Sequence, residues 1–153
     1  VDEQQEKINN SHRYFAAFCF NACWDLIDKN QKTEEDTENM IHLAHSSFWH
    51  WTQVQGVTPT NISVGYWQLA RVYALAGNGD DSLYYGKRCM DIGLTNNLDP
   101  FYIGYAYEAI ARANQVLKRP EQTIENKAKA REYYDKILDD ENKNLLQNDL
   151  NNL

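Results

Sequence analysis

The chain has 153 residues, enough for one domain with a buried core, and a formal net charge of −7 at pH 7. Ten Tyr, five Phe and four Trp exclude a disordered chain, while three Pro and seven Gly favour helices over a turn-rich β fold. The acidity argues against nucleic acid and anionic membrane surfaces as partners, and no stretch approaches the roughly 20 apolar residues that span a bilayer.

The helical period runs from end to end, without a run of strand alternation. A first helix is expected from about Glu3 to Asp28, beginning in a charged stretch with no signal-peptide pattern. It carries two apolar stripes, Phe15, Phe18, Ala22 and Leu26 on one, and Phe20, Cys23, Trp24 and Ile27 on the other. Thr33 followed by Asp36 has the spacing of an N-cap with an acidic first turn. The second helix is expected to reach about Gln55, with Met40, Ile41, Ala44, Phe48 and Trp51 inward. Gly56 stops it, and Pro59 stands near the next start. The third helix carries Tyr66, Leu69, Ala70 and Tyr73 and breaks at Gly77-Asn78-Gly79. The fourth runs from Asp80 through Ser82, Leu83, Tyr85, Gly86, Cys89 and Met90. A fifth is expected from Pro100 to Leu117 and a sixth from about Glu121 to Asp139, separated by Pro120, which a helix interior does not tolerate. Leu145, Leu146 and Leu150 mark a short last helix over the end of the stack.

The pair between Ser63 and Asn96 resembles one tetratricopeptide (TPR) repeat. Tyr107, Ile110, Ala111 and Asn114 repeat the register of Tyr66, Leu69, Ala70 and Tyr73. Ala130, Tyr133, Tyr134, Ile137 and Leu138 repeat that of Ser82, Tyr85, Gly86, Cys89 and Met90. In the first pair, Ile41, Leu43, Ala44, Ser47 and Phe48 fit a second repeat helix. The resemblance implies an all-α, TPR-like array of three antiparallel helical hairpins in a right-handed superhelix, with a short C-terminal helix. It implies a single domain over residues 1–153. The stretch from His45 through Trp51, Gly56, Asn61, Trp67, Arg71 and Tyr73, together with Tyr105 to Arg112, resembles a group of uncharacterised bacterial proteins with no assigned chemistry. His45, His50 and Trp51 are expected at the rim of a site on that resemblance.

In TPR-like pairs the first helices line an inner groove. The stripes implied here are Val64, Trp67, Arg71 and Leu75, then Tyr105, Glu108, Arg112 and Gln115, and in the first pair Phe15, Phe18, Ala22 and Asp25. Arg71 and Arg112 occupy the same repeat position, where two guanidinium groups can grip a carboxylate or phosphate beside Trp67 and Tyr105. The competing reading is structural: Glu108 and Arg112 are spaced for an intrahelical ion pair, and Arg71 covers aromatic rings.

The expected function is a non-catalytic binding or scaffolding module without cofactor. It engages a protein or peptide partner, or a small anion, through Trp67, Arg71, Tyr105, Glu108 and Arg112. Glu38, His42 and His45 share a helix face and define the rival reading, a metal-dependent helical enzyme completed from elsewhere, for example by His12. The third reading is a homodimer that fills its own groove. No phosphate-cradling Gly loop, GxSxG elbow, HExxH spacing or paired-Cys motif is present. Cys19, Cys23 and Cys89, an odd number set among apolar residues, read as free buried thiols of a reducing, cytoplasmic setting.

Overall fold

The computed structural model describes residues 2–153; Val1, where the expected domain begins, lies outside them. Seven helices and no strand are present among the described residues: α1 (Glu3–Ile27), α2 (Glu34–Gln53), α3 (Pro59–Leu75), α4 (Gly79–Thr95), α5 (Pro100–Val116), α6 (Pro120–Tyr134) and α7 (Asp140–Asn151). None is long and apolar enough to cross a membrane.

The helix ends follow from local chemistry. Thr33 and Asp36 close a reciprocal capping box at the start of α2, satisfying two donors the helix leaves open. Thr58 and Asp99 cap α3 and α5, each followed by a proline in the first turn, where the missing N–H costs nothing. Gly77 takes φ +80° just after α3, the left-handed geometry that lets the chain reverse into α4. The sixth helix is shorter than its pattern predicts. It stops at Tyr134, and Asp139 instead caps α7 by accepting from the Asn142 amide at 2.8 Å.

Consecutive helices pair as antiparallel hairpins. In the first, the Ser47 hydroxyl donates to the Ala16 carbonyl at 2.8 Å, and the Cys23 thiol faces the Met40 carbonyl at 3.4 Å. In the second, Ser82 donates to the Ala70 carbonyl at 2.7 Å while Cys89 lies against Ser63. In the third, Tyr107 stacks on Tyr133 with ring centroids 5.6 Å apart. The hairpins stack in chain order, α2 on α3 and α4 on α5, with α3 also on α5. This is the packing of a helical repeat array, in which each unit completes its neighbour's core. One core gathers Cys23, Met40, Ala44, Leu69 and Val72; the next gathers Met90, Ile103, Ala106 and Ile110. The last centres on Ala130, Leu146 and Leu150, and it docks α7 onto α5 and α6.

The apolar stripes of α1 are only half buried. Cys23 and Ile27 are in the core, whereas Phe15 and Phe18 are 46% and 54% exposed. The buried seam α1 shares with α2 runs through Ala16 and Cys23; Phe15 stands at its edge against His50.

All three cysteines are free; Cys23 and Cys89 are buried and Cys19 is half-buried. Burial pushes the Cys23 and Cys89 thiols up to about 12, which leaves almost no nucleophilic thiolate at neutral pH. A small thiol reagent is expected to label Cys19 in the native protein and the other two only on unfolding. Equal rates at all three, followed by peptide mass mapping, would contradict this packing.

Candidate functional site

Helices α3 and α5 run side by side in the same direction, with contacts both at an equal repeat position, Trp67 to Glu108, and one turn off it. Trp67 meets Tyr105 edge-on at 5.4 Å, and one turn further on Arg71 meets Glu108. The Glu108 side chain is fully buried. Its Oε1 accepts from the Trp67 indole at 3.2 Å, and Arg71 Nη2 lies 3.4 and 3.5 Å from its two oxygens. Arg112 approaches Oε2 with Nε at 2.8 Å and Nη2 at 2.7 Å. A carboxylate leaves water only when its lone pairs are met in this way. Asp149 of α7 completes the cluster. It sits 3.5 Å from Arg71 and accepts from the Tyr105 hydroxyl at 2.6 Å. Burial, then the Asp149 carboxylate, pushes the Tyr105 phenol well above its ordinary range, so it stays a donor.

Two guanidinium groups are thus balanced by two carboxylates of the same chain. Trp67, Arg71, Tyr105, Glu108 and Arg112 converge as the repeat register implies, but both arginines are occupied internally. The Arg71 guanidinium also lies over the Trp67 ring at 5.2 Å, and its Nε is buried without a partner.

Beside this cluster opens a cavity of about 250 Å³. Trp24 of α1 stacks on Trp67 at 5.5 Å to form one wall. Val64, Phe101 and Tyr102 form the others, and Leu145 and Asp149 approach from α7. Ser63 and Cys89 lie at its α3/α4 seam, 3.5 Å from each other. Asp149 is the one charged side chain in the lining among the described residues.

The remaining expected residues lie elsewhere. His45 shares a 2.8 Å hydrogen bond with the Tyr73 hydroxyl and packs against Tyr85; burial holds its pKa below the usual histidine value. His50 pairs with His12 through their Nδ1 atoms at 2.8 Å, between α1 and the end of α2. Trp51 is half-buried next to it in sequence. None of the three lines the cavity. Glu38 and His42 make an exposed pair at 3.5 Å, while His45 turns to Tyr73. Among the described residues no three His, Cys, Asp or Glu side chains converge as a metal site.

Of the first-pair groove residues expected, Phe15 packs on His50 of α2 and Phe18 is exposed, neither lining the cavity, and Trp24 supplies the α1 contribution instead. Phe101, Tyr102 and Asp149 were not expected either. Phe101 stands one turn before Tyr105 on the same face, a spacing that announces it. Asp149 has no comparable signal, because its place depends on how α7 docks.

Fold and wall together define an all-helical hairpin array with an aromatic cavity beside a charge-balanced cluster. No protein-family model, no curated protein and no solved structure matches this chain.

Proposed function

We propose that this chain is a non-catalytic binding and scaffolding module, a TPR-like array that engages a peptide segment of a partner protein. One side chain of the partner enters the cavity between α1, α3, α5 and α7. The cavity is the observation that carries this reading. At about 250 Å³ it is smaller than the roughly 300–1,000 Å³ of pockets for drug-sized ligands, and larger than the roughly 150 Å³ cavity that admits benzene. That size suits one ring or one long side chain rather than a cofactor. Trp67 and Tyr105 supply its walls; behind them Arg71 reaches from α3 to Glu108 of α5, which Arg112 of the same helix holds in place. The internal charge balance favours a peptide over a small anion. Three unpaired thiols suit a reducing compartment such as the cytoplasm.

Selection of a random linear-peptide library on the immobilised chain tests this. Val64 is half-buried in the cavity lining, so Val64→Trp fills the space from the α3 side. Selected peptides are expected to lose at least about tenfold in affinity for Val64→Trp, the effect of displacing one buried side chain, with the helical circular dichroism unchanged. Peptides that bind both proteins equally would reject the cavity as the site.

A further inference from the structure

We infer that the side chain this cavity selects is a basic one, lysine or arginine, with its stem among the aromatic walls and its charged end on Asp149. The inference rests on the binding reading above and adds the chemistry of the occupant.

The walls are made by Trp24, Trp67, Phe101 and Tyr102. Methylene stems of basic side chains bury along such surfaces, and aromatic faces attract the cation. Among the described residues Asp149 is the single charged group of the lining they would meet. Its Oδ2 takes the Tyr105 hydroxyl at 2.6 Å and its Oδ1 faces Arg71 at 3.5 Å. A carboxylate offers about four acceptor positions, so it retains capacity for another donor. Contact with Arg71 is long beside the roughly 2.7–2.9 Å of a charge-assisted bond, and does not saturate Asp149. Arg71 itself is not part of the lining; it is held behind the wall by Glu108 and the Trp67 ring. An incoming cation therefore meets the carboxylate first.

An acidic side chain would set a second negative charge beside Asp149 among apolar groups, which is costly without a partner. A neutral aliphatic side chain would fill the walls and gain nothing from the carboxylate. The net charge of −7 draws basic segments toward the chain as a whole.

The test is nuclear magnetic resonance titration of the full, isotope-labelled chain, read at the Trp24 and Trp67 indole N–H signals. The probes are the Nα-acetyl methylamides of lysine, arginine, norleucine and glutamate, used to millimolar concentration. Lysine and arginine derivatives are expected to shift both indole signals and to bind about five to ten times more tightly than norleucine, with no binding by glutamate. Asp149→Asn is expected to erase the advantage of lysine over norleucine. Tyr105→Phe keeps the carboxylate, removes a competing donor, and is expected to preserve or enlarge that advantage, which guards against an Asp149→Asn effect that only reflects loosening of α7. Glu141→Gln on the exposed start of α7 is expected to change nothing. Norleucine binding as well as lysine would overturn the basic preference and leave the cavity reading standing. Indole signals unmoved by all four probes would also overturn the preference, and the cavity reading would then be judged by the Val64→Trp selection alone.

Discussion

Glu108→Ala is expected to destabilise the protein by about 3–5 kcal/mol, the cost of breaking a buried ion pair from one side. The substitution strips the shared acceptor from Arg71, Arg112 and the Trp67 indole while all three stay in place. Two guanidinium groups, 11% and 16% exposed, would remain with Asp149 as their only carboxylate neighbour among the described residues, and that residue is near Arg71 alone. Arg71→Ala is expected to cost less, because Arg112 keeps both of its short contacts to Glu108. Urea unfolding followed at 222 nm measures both. A Glu108→Ala loss below about 1 kcal/mol would show the cluster to be no better than a surface pair. The order Arg71 worse than Glu108 would place the main dependence on the Trp67 cation–π contact instead.

This cluster shows how far the sequence reaches. Arg71 and Arg112 share a repeat position, and helix stacking turns an equal register into neighbourhood, so their place on one wall was legible; they are joined only through the Glu108 carboxylate both contact. Their partner was legible only in part. Glu108 reads locally as the i−4 partner of Arg112 and shares the repeat position of Trp67, but nothing in the spacing says that the same carboxylate also faces Arg71 across the α3/α5 interface. Hairpin ends were readable for the same local reason: Thr33 with Asp36 and Pro59 after Thr58 state their geometry within four residues. Helix α1 was misread in its register because both of its stripes are apolar, and hydrophobic period cannot choose between two such faces. The choice is made by Ser47 and Met40 on α2, which grip Ala16 and Cys23, and it turns Trp24 toward Trp67. Asp149 lies 44 residues from Tyr105 in a polar tail, and no pattern short of the tertiary fold connects them.

The docking of α7 is therefore expected to decide the charge of the site. Leu146 and Leu150 are fully buried, with Leu146 close to Gly104, where an added Cβ would come within 2.8 Å of its Cδ2. Each Leu→Ala change in a closed core costs about 2–5 kcal/mol. The two side chains share one core, so their effects are not expected to add simply. The polar contacts left to α7 include Tyr105 to Asp149, Tyr134 to Gln147 at 2.8 Å, the long Arg131 to Asn151 contact at 3.4 Å and the 3.5 Å approach of Arg71 to Asp149, and single hydrogen bonds of this kind are worth about 1 kcal/mol each. Leu146→Ala combined with Leu150→Ala is therefore expected to release α7 while the three hairpins stay folded. Amide exchange protection should fall over residues 140–151 and hold over α3 and α5. The same protein should lose the preference for lysine over norleucine, because Asp149 leaves with the helix while Trp24, Trp67 and Tyr102 remain. Uniform loss of protection in every helix would show that α7 is part of one cooperative core. Retained lysine preference with α7 released would take Asp149 out of the recognition.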